Sequence, residues 1–378
     1  MNRSPARGSA RKQKVLVYLL GSLGDSIVSI PALRAVRRHF DQAEIVVLQN
    51  FSNGGRVLAS EVLPGDLADT YLSYEVPAGR IRKLRELARL WLKLRRERFD
   101  AAAYLIMSER PEADITRDRI FFRSTGIREL FGFHAIPPED LYPTEETGRP
   151  ARSEHEAVFK LRRLAADGIA IDLVRDLRSP LINPPAAEVE YIDRWLKGSS
   201  IRAGVPLISI APGCTQQVNE WPEANFAELG RRLLADGSCD IVVTGGKAEF
   251  ELGERLVAAW NGGTNAAGLF SVQRSAALLS RCSIHIGLDT GTTHLAAAVG
   301  TRCFVIFGER NNPGAWYPLG DAHMIVHHPV PCAACRSFTC AVPGHPCMDG
   351  IAVDSVWRHL SEFIHGASGD QGVRVIAV

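Results

Sequence analysis

The chain has 378 residues, 46% hydrophobic and 23% charged, with a formal net charge of +2. This is the composition of a soluble globular protein long enough for two cores, and it gives no general electrostatic case for nucleic acid. No apolar run approaches the ~20 residues that a membrane-spanning helix needs.

Arg3, Arg7, Arg11, Lys12 and Lys14 precede the apolar run from Val15 to Leu20, an arrangement superficially like an export signal. The run is short, Asp25 follows soon after, and no convincing small-residue cleavage site stands behind it. Residues 1–14 are therefore read as a disordered basic tail before a first buried strand at about 14–20. Without an export signal, the eight cysteines are expected in a reducing, cytoplasmic setting, free of structural disulfides.

After the turn Gly21-Ser22-Leu23-Gly24-Asp25, a helix is expected from the near-helical spacing of Ile27, Ile30, Leu33, Val36 and Phe40. Pro31 must lie in its first turns or kink it. Strands follow at 44–48 and 101–107, the second reached through a long basic helix. The alternation predicts a mostly parallel sheet wrapped by helices. Around 176–206 the pattern loosens, with Ser179-Pro180, Pro184-Pro185 and Gly204-Val205-Pro206 enclosing one helix, and this marks a domain boundary. The second half restarts with strands at 207–211, 240–244, 284–288 and 303–307. Helices are expected at about 222–236, 248–259, 271–281 and 292–299. The expected division is an N-terminal domain over 15–185, a C-terminal domain over 186–352, and a closing helix and tail over 353–378. Both are read as doubly wound α/β domains facing across a cleft, where ligands sit beyond the carboxyl ends of strands.

Three strand-end turns in the second half are rich in Gly and Thr. Ala211-Pro212-Gly213-Cys214-Thr215 leads to Asn219-Glu220-Trp221-Pro222, Thr244-Gly245-Gly246 leads to Glu249, and Asp289-Thr290-Gly291-Thr292-Thr293-His294 opens an Ala-rich helix. A strand ending at such a helix start gathers backbone N–H groups where the helix dipole favours negative charge, so the turn can seat a phosphate or merely be capped. Three such turns converging on one crevice suit a nucleoside diphosphate, whereas no G-x-G-x-x-G dinucleotide fingerprint follows any strand.

Together these segments resemble glycosyltransferase family 9, which includes the ADP-heptose:lipopolysaccharide heptosyltransferases. The resemblance rests on the Gly21-x-x-Gly24-Asp25 turn with Pro31, the Ala211-Pro212-Gly213 loop before Trp221-Pro222, Gly245-Gly246-x-x-Glu249, and Asp289-Thr290-Gly291-x-x-His294. Phe307-Gly308, Pro313, Trp316 and Pro318 complete it; the match is continuous at about 205–320 and patchy before. It implies a GT-B fold with the acceptor on the first domain and the nucleotide-sugar on the second. It implies an inverting enzyme that moves a sugar, heptose foremost, from a nucleotide donor such as ADP-heptose to a lipopolysaccharide-core or related glycan acceptor. In that scheme Asp25 is the general base and Gly24 and Ser26 border the acceptor. Thr215, Asn219, Thr244, Gly245, Glu249, Asp289, Thr290, Gly291, Thr292 and His294 form the donor site. From local sequence alone Asp25 also fits a helix N-cap, and His294 a structural histidine. Amides at the helix start would stabilise the leaving diphosphate without a catalytic metal. Asn219 stands where the heptosyltransferases have a lysine that reaches the diphosphate; Lys247 or Arg310 are candidates to restore that charge. A nucleotide-sugar epimerase of the same fold, or a non-catalytic descendant that binds nucleotide or glycan, are the alternatives.

Cys332, Cys335, Cys340 and Cys347 crowd one proline-containing segment, 331–348. That density reads as a tetrahedral structural Zn²⁺ site or as a set of reduced thiols, with an iron–sulfur cluster disfavoured by spacing. Residues 80–98 alternate basic side chains with Ile81, Leu84, Leu87, Leu90, Trp91 and Leu94. This helix either packs its apolar stripe on the sheet, or docks peripherally on the anionic cytoplasmic face of an inner membrane that carries a glycolipid acceptor, or does both.

Overall fold

The computed structural model describes residues 11–51, 57–366 and 372–378. Most of the expected basic tail, residues 1–10, lies outside the described residues. Its last part is ordered: Arg11 donates to the Arg98 carbonyl at 2.8 Å and to Asp100 at 2.6 Å, and Lys14 opens the first strand.

Five parallel strands make the first sheet: β1 (Lys14–Tyr18), β2 (Glu44–Phe51), β3 (Thr70–Glu75), β4 (Ala101–Tyr104) and β5 (Glu129–Phe131), in the order β3-β2-β1-β4-β5. Seven parallel strands make the second. They are β6 (Leu207–Ile210), β7 (Asp240–Val243), β8 (Thr264–Asn265), β9 (Ile284–Gly287), β10 (Arg302–Ile306), β11 (Met324–His327) and β12 (Arg374–Ala377). Their order is β12-β11-β10-β9-β6-β7-β8. Central strands such as Val15–Tyr18 and Ile45–Leu48 are buried on both faces, hence their unbroken apolar runs. The edge strand β3 is half exposed and mixes Thr, Ser and Glu with Tyr, which hides it from a search for apolar runs.

In each sheet the chain reverses its direction of winding at one point, and ligand crevices open beyond the strand ends there. For the first sheet that point lies between β1 and β4; for the second it lies between β6 and β9. Asp25 follows β1, the loop from Ala211 to Asn219 follows β6, and Asp289 follows β9.

The helix expected after the first turn is two helices, Leu23–Val28 and Ile30–His39, separated at Ser29 with Pro31 in the first turn of the second. Proline lacks an N–H to donate, and there that donor has no intrahelical partner to lose. Residues 353–366 and 372–378, expected as a closing helix and tail, pack on the second domain. Helix Val353–His365 buries Val356, Leu360 and Phe363, and β12 pairs with β11, so this segment completes the second domain. The sequence conceals β12 because it is a four-residue edge strand with alternating exposure.

The domains close on each other through one continuous apolar core. Val17, Ile27 and Leu33 of the first are buried in the same cluster as Leu295, Ala298 and Phe307 of the second. Backbone bonds add a seam: Leu181 and Ile182 donate to the Ala298 carbonyl at 2.7 and 2.9 Å, Ser153 to Pro313 at 2.8 Å, and Glu156 to Ala315 at 2.9 Å. The Asn312 amide reaches back to the carbonyls of Pro143 and Ala151 at 3.0 and 3.1 Å. No helix among the described residues is long and apolar enough to cross a membrane.

Candidate functional site

The site is built where two helix starts meet. Helix Leu23–Val28 leaves β1 through Gly21, whose φ of +129° only glycine adopts readily. Asp25 is the third residue of that helix and not its N-cap; its Oδ2 accepts the Ser22 N–H at 2.8 Å. Helix Gly291–Ala298 leaves β9 through Asp289 and Thr290. A Cβ added at Gly291 would lie 2.9 Å from Leu23 Cβ, and one at Gly24 would lie 3.2 Å from His294 Cδ2. Glycine on both sides is therefore what lets the two turns touch, and it brings Asp25 next to the start of the second-domain helix.

Gly24 is consequently spent on packing against His294, and Ser26 is 3% exposed. Both residues lie in the turn that carries Asp25, Gly24 partly exposed and Ser26 buried. Asp25 is partly exposed, its carboxyl folded back over Gly21.

Behind Asp25 lies a buried charged group that the sequence reading did not single out. Lys160 is fully buried, donates to the Leu105 carbonyl at 2.7 Å and pairs with Glu156 at 3.3 Å. Glu156 accepts the Ser108 N–H at 2.9 Å. Arg163 bonds the carbonyls of Gly132 and Ile106, each at 2.9 Å, and stacks over the Tyr104 ring. Burial lowers the Lys160 pKa, opposed by the charges of Glu156 and Asp25, and burial raises that of Glu156 against the pull of Lys160. A signal existed in the sequence. Glu156, Lys160 and Arg163 fall on the same helix face as Ala157, Phe159, Leu161 and Leu164, a face that should be apolar.

On the second domain, burial raises the Asp289 carboxyl to about 6, against the opposing pull of Arg310 and of the Asn219 amide. Asn219 Nδ2 donates to Asp289 Oδ2 at 3.3 Å, while Asn219 Oδ1 is buried without a partner. Thr244 Oγ1 and Thr290 Oγ1 are also buried and unpartnered. An unmet buried hydrogen bond costs about 1–3 kcal/mol, so three of them at the ends of β6, β7 and β9 describe a place built to receive a polar ligand. Thr290 makes no capping bond, and the first amides of its helix are left for such a ligand. Thr292 is partly buried beside Gly291 at this helix start.

Beyond these atoms opens a cleft of about 490 Å³ lined by Gly213, Gln217, Trp221, Glu249 and His345 among others. Glu249 accepts the Gly246 N–H at 2.7 Å and packs between Gly213 and Gly245. Thr215 is exposed at the rim and Lys247 is exposed on the neighbouring turn. Of the two cations considered as substitutes for the missing lysine, Arg310 is the one whose field reaches Asp289. It is held by bonds to the Ser337 carbonyl at 2.9 Å and to Asn311 at 3.0 Å.

The cysteine segment braces this same corner. Cys340 N–H donates to Gln217 Oε1 at 2.9 Å, Val218 N–H to the Phe338 carbonyl at 3.2 Å, and His345 Nε2 contacts the Val218 carbonyl at 2.9 Å. Cys332, Cys335, Cys340 and Cys347 all line one cavity of about 60 Å³. Among the described residues no three metal-ligating side chains already converge on a point. The remaining cysteines are dispersed: Cys239, Cys282 and Cys303 are buried and Cys214 borders the cleft.

Comparison with known proteins agrees with this geometry. The sequence pattern of Glycosyltransferase family 9 (heptosyltransferase) matches residues 150–345, just over half of the chain. Lipopolysaccharide heptosyltransferase 1 of Pseudomonas aeruginosa is 34% identical over 139 residues, which is 36% of this chain and 38% of that protein. The chain thus spans well under two thirds of that relative's length. A family 9 glycosyl transferase from Veillonella parvula superposes with a TM-score of 0.71 at 15% identity, over 94% of this chain and 98% of that one. The Escherichia coli ADP-heptose lps heptosyltransferase II superposes at 0.64 and 18%, over 93% and 98%. At such identities these two structures show the fold, the two-domain GT-B arrangement.

Two histidines, His155 and His294, lie at the interface and a third, His285, inside the second domain. His155 accepts the Ala157 N–H on Nδ1 and gives its Nε2 proton to the Tyr317 carbonyl at 2.8 Å, across the domain seam. His285 lies between Ser209 at 2.7 Å and Thr293 at 3.2 Å, and His294 packs edge-on to Trp316. Burial lowers His155 to about 4 and His285 and His294 to about 3. In the unfolded chain these imidazoles titrate near ~6.5, so below that pH the unfolded state takes up protons the fold refuses. Asp289 and Glu156, both raised, act in the opposite sense, while His323, also lowered by burial, adds to the other three imidazoles. Stability is therefore expected to be full above pH ~6.5 and to fall toward pH ~5. Urea unfolding followed by tryptophan fluorescence should show a lower midpoint at the acid end, and His155→Gln should flatten that dependence.

Proposed function

Because the chain belongs to glycosyltransferase family 9, we propose that it transfers heptose from a nucleoside-diphosphate donor, ADP-heptose, to a lipopolysaccharide-core or related glycan acceptor. What supports this reading is the contact of the two helix starts, Gly24 against His294 and Gly291 against Leu23. It sets the turn carrying Asp25 beside the helix start at Thr290, whose hydroxyl is unpartnered, as are polar atoms of Asn219 and Thr244. The nucleoside end of the donor occupies the cleft beside Glu249, with its pyrophosphate over the Thr290 hydroxyl and the amides from Gly291 to Thr293. The anomeric carbon then faces the first domain. Asp25 takes the proton of an acceptor hydroxyl while that oxygen attacks the anomeric carbon. The carbon–oxygen bond to the diphosphate breaks on the opposite side, so the configuration inverts in a single step.

Charge developing on the leaving diphosphate is met by the helix start and by Arg310. These groups require no catalytic metal in this scheme. A lysine at position 219 would give a charged hydrogen bond worth about 1.5–3 kcal/mol, roughly ten- to a hundredfold in donor affinity. Asn219 gives less, and Arg310 makes up part of the difference. The relatives are transferases by name, which favours transfer over the epimerase and non-catalytic alternatives.

General-base catalysis contributes about 10²–10⁴ in rate. Asp25→Asn should thus lower transfer by about 10³ while calorimetric ADP affinity stays within about twofold; equal loss of both would reject the assignment.

We further propose that Cys332, Cys335, Cys340 and Cys347 hold a structural Zn²⁺ that fixes the turn carrying Asn219. Four thiolates around one small cavity suit tetrahedral zinc, and the segment's bonds to Gln217 and Val218 give the ion a purpose. Elemental analysis of purified protein should find one zinc per chain, with none in the Cys332→Ser, Cys335→Ser double variant. A metal-free wild type of undiminished thermal stability would contradict the proposal.

A further inference from the structure

The helix Arg80–Glu97 does not pack along its length. Leu90 and Leu94 are buried, but Ile81 is 76% exposed, Leu84 61% and Leu87 44%. Packing of the apolar stripe on the sheet therefore accounts only for the second half of the helix. At ~100° per residue, Ile81, Leu84, Leu87 and Leu92 fall within an arc of about 140°. A stripe that wide is built to be covered.

Its place in the fold is informative. The helix begins just after β3, so its bare half stands at the carboxyl edge of the first sheet. Because that sheet is parallel, the same edge carries the turn with Asp25 after β1, two strand spacings or about 10 Å away. Other large apolar side chains are exposed along this edge: Phe51 ending β2, Val76 after β3 and Met107 after β4, at 38%, 46% and 42%. Apolar groups from three strand ends and one helix thus form a rim beside the cleft.

The charge around the rim selects the occupant. Residues 80–98 hold nine Lys or Arg and two Glu. The two carboxylates are engaged, Glu86 with Arg89 and Glu97 with Lys14, while Arg80, Arg82, Lys83 and Arg85 stand exposed around Ile81 and Leu84. Two such helices facing each other would oppose like charges, which argues against a second copy of the chain. An anionic lipid surface satisfies both features at once, taking the apolar side chains below its headgroups and the cations among them.

We propose that the carboxyl edge of the first sheet, led by Ile81, Leu84 and Leu87, docks on anionic phospholipid bilayers. Docked in this way, the chain presents its cleft to a glycolipid at the membrane surface, a consequence that rests on the proposed transfer, whereas docking itself does not.

Sedimentation with unilamellar vesicles tests it. Wild-type protein should bind vesicles of phosphatidylcholine mixed with phosphatidylglycerol and not vesicles of phosphatidylcholine alone, and added salt should weaken binding. The Ile81→Asp, Leu84→Asp, Leu87→Asp variant changes only exposed side chains. It should lose binding at least tenfold while its melting temperature and ADP affinity match wild type. Absence of wild-type binding to the mixed vesicles, or unchanged binding by the variant, would overturn the proposal. So would a wild-type dimer in sedimentation velocity that the variant dissolves, since the rim would then be a subunit interface.

Discussion

Two glycines, Gly24 and Gly291, set how near the two domains come at the point where chemistry is proposed. A methyl group on either would push against Leu23 or His294 and separate the helix starts. Everything that makes the site depends on this approach. It brings an acidic side chain on one domain to amides and hydroxyls on the other, with each helix start fixed by its own sheet. The continuous core and the bonds across the seam hold the contact closed. Small side chains at 24 and 291 therefore act through geometry, and the acid beside them through charge.

Buried polar groups lie behind the site in both halves. The first domain keeps cations in its interior: Lys160 and Arg163 are buried at the ends of the strands behind Asp25, held by carbonyls and by Glu156. The second domain leaves the polar atoms of Asn219, Thr244 and Thr290 unpaired after β6, β7 and β9. Buried cations without partners would be prohibitive, and these have partners; unpaired hydroxyls and amides cost less and are released from that cost when a ligand binds.

Much of this was legible in the sequence. Buried parallel strands announce themselves as apolar runs, and the Gly-, Thr- and Asp-rich turns after β1, β6, β7 and β9 showed which strand ends matter. Edge strands did not announce themselves, since β3 and β12 mix exposed polar and apolar residues and β8 is two residues long. Glu156, Lys160 and Arg163 escaped notice because a charged helix reads as a solvent-facing one until a tertiary partner is known. The protruding half of the helix at 80–97 was equally hidden: periodicity reveals a stripe, and only the fold reveals that the stripe is uncovered.

The account is tested most directly by a crystal structure of the protein with ADP. It predicts diphosphate oxygens within hydrogen-bonding distance of Thr290 Oγ1 and the amides of residues 291–293, the adenosine in the cleft beside Glu249, and the Asp25 carboxylate facing the terminal phosphate across the gap. ADP bound elsewhere, or Asp25 directed away from that phosphate, would contradict it.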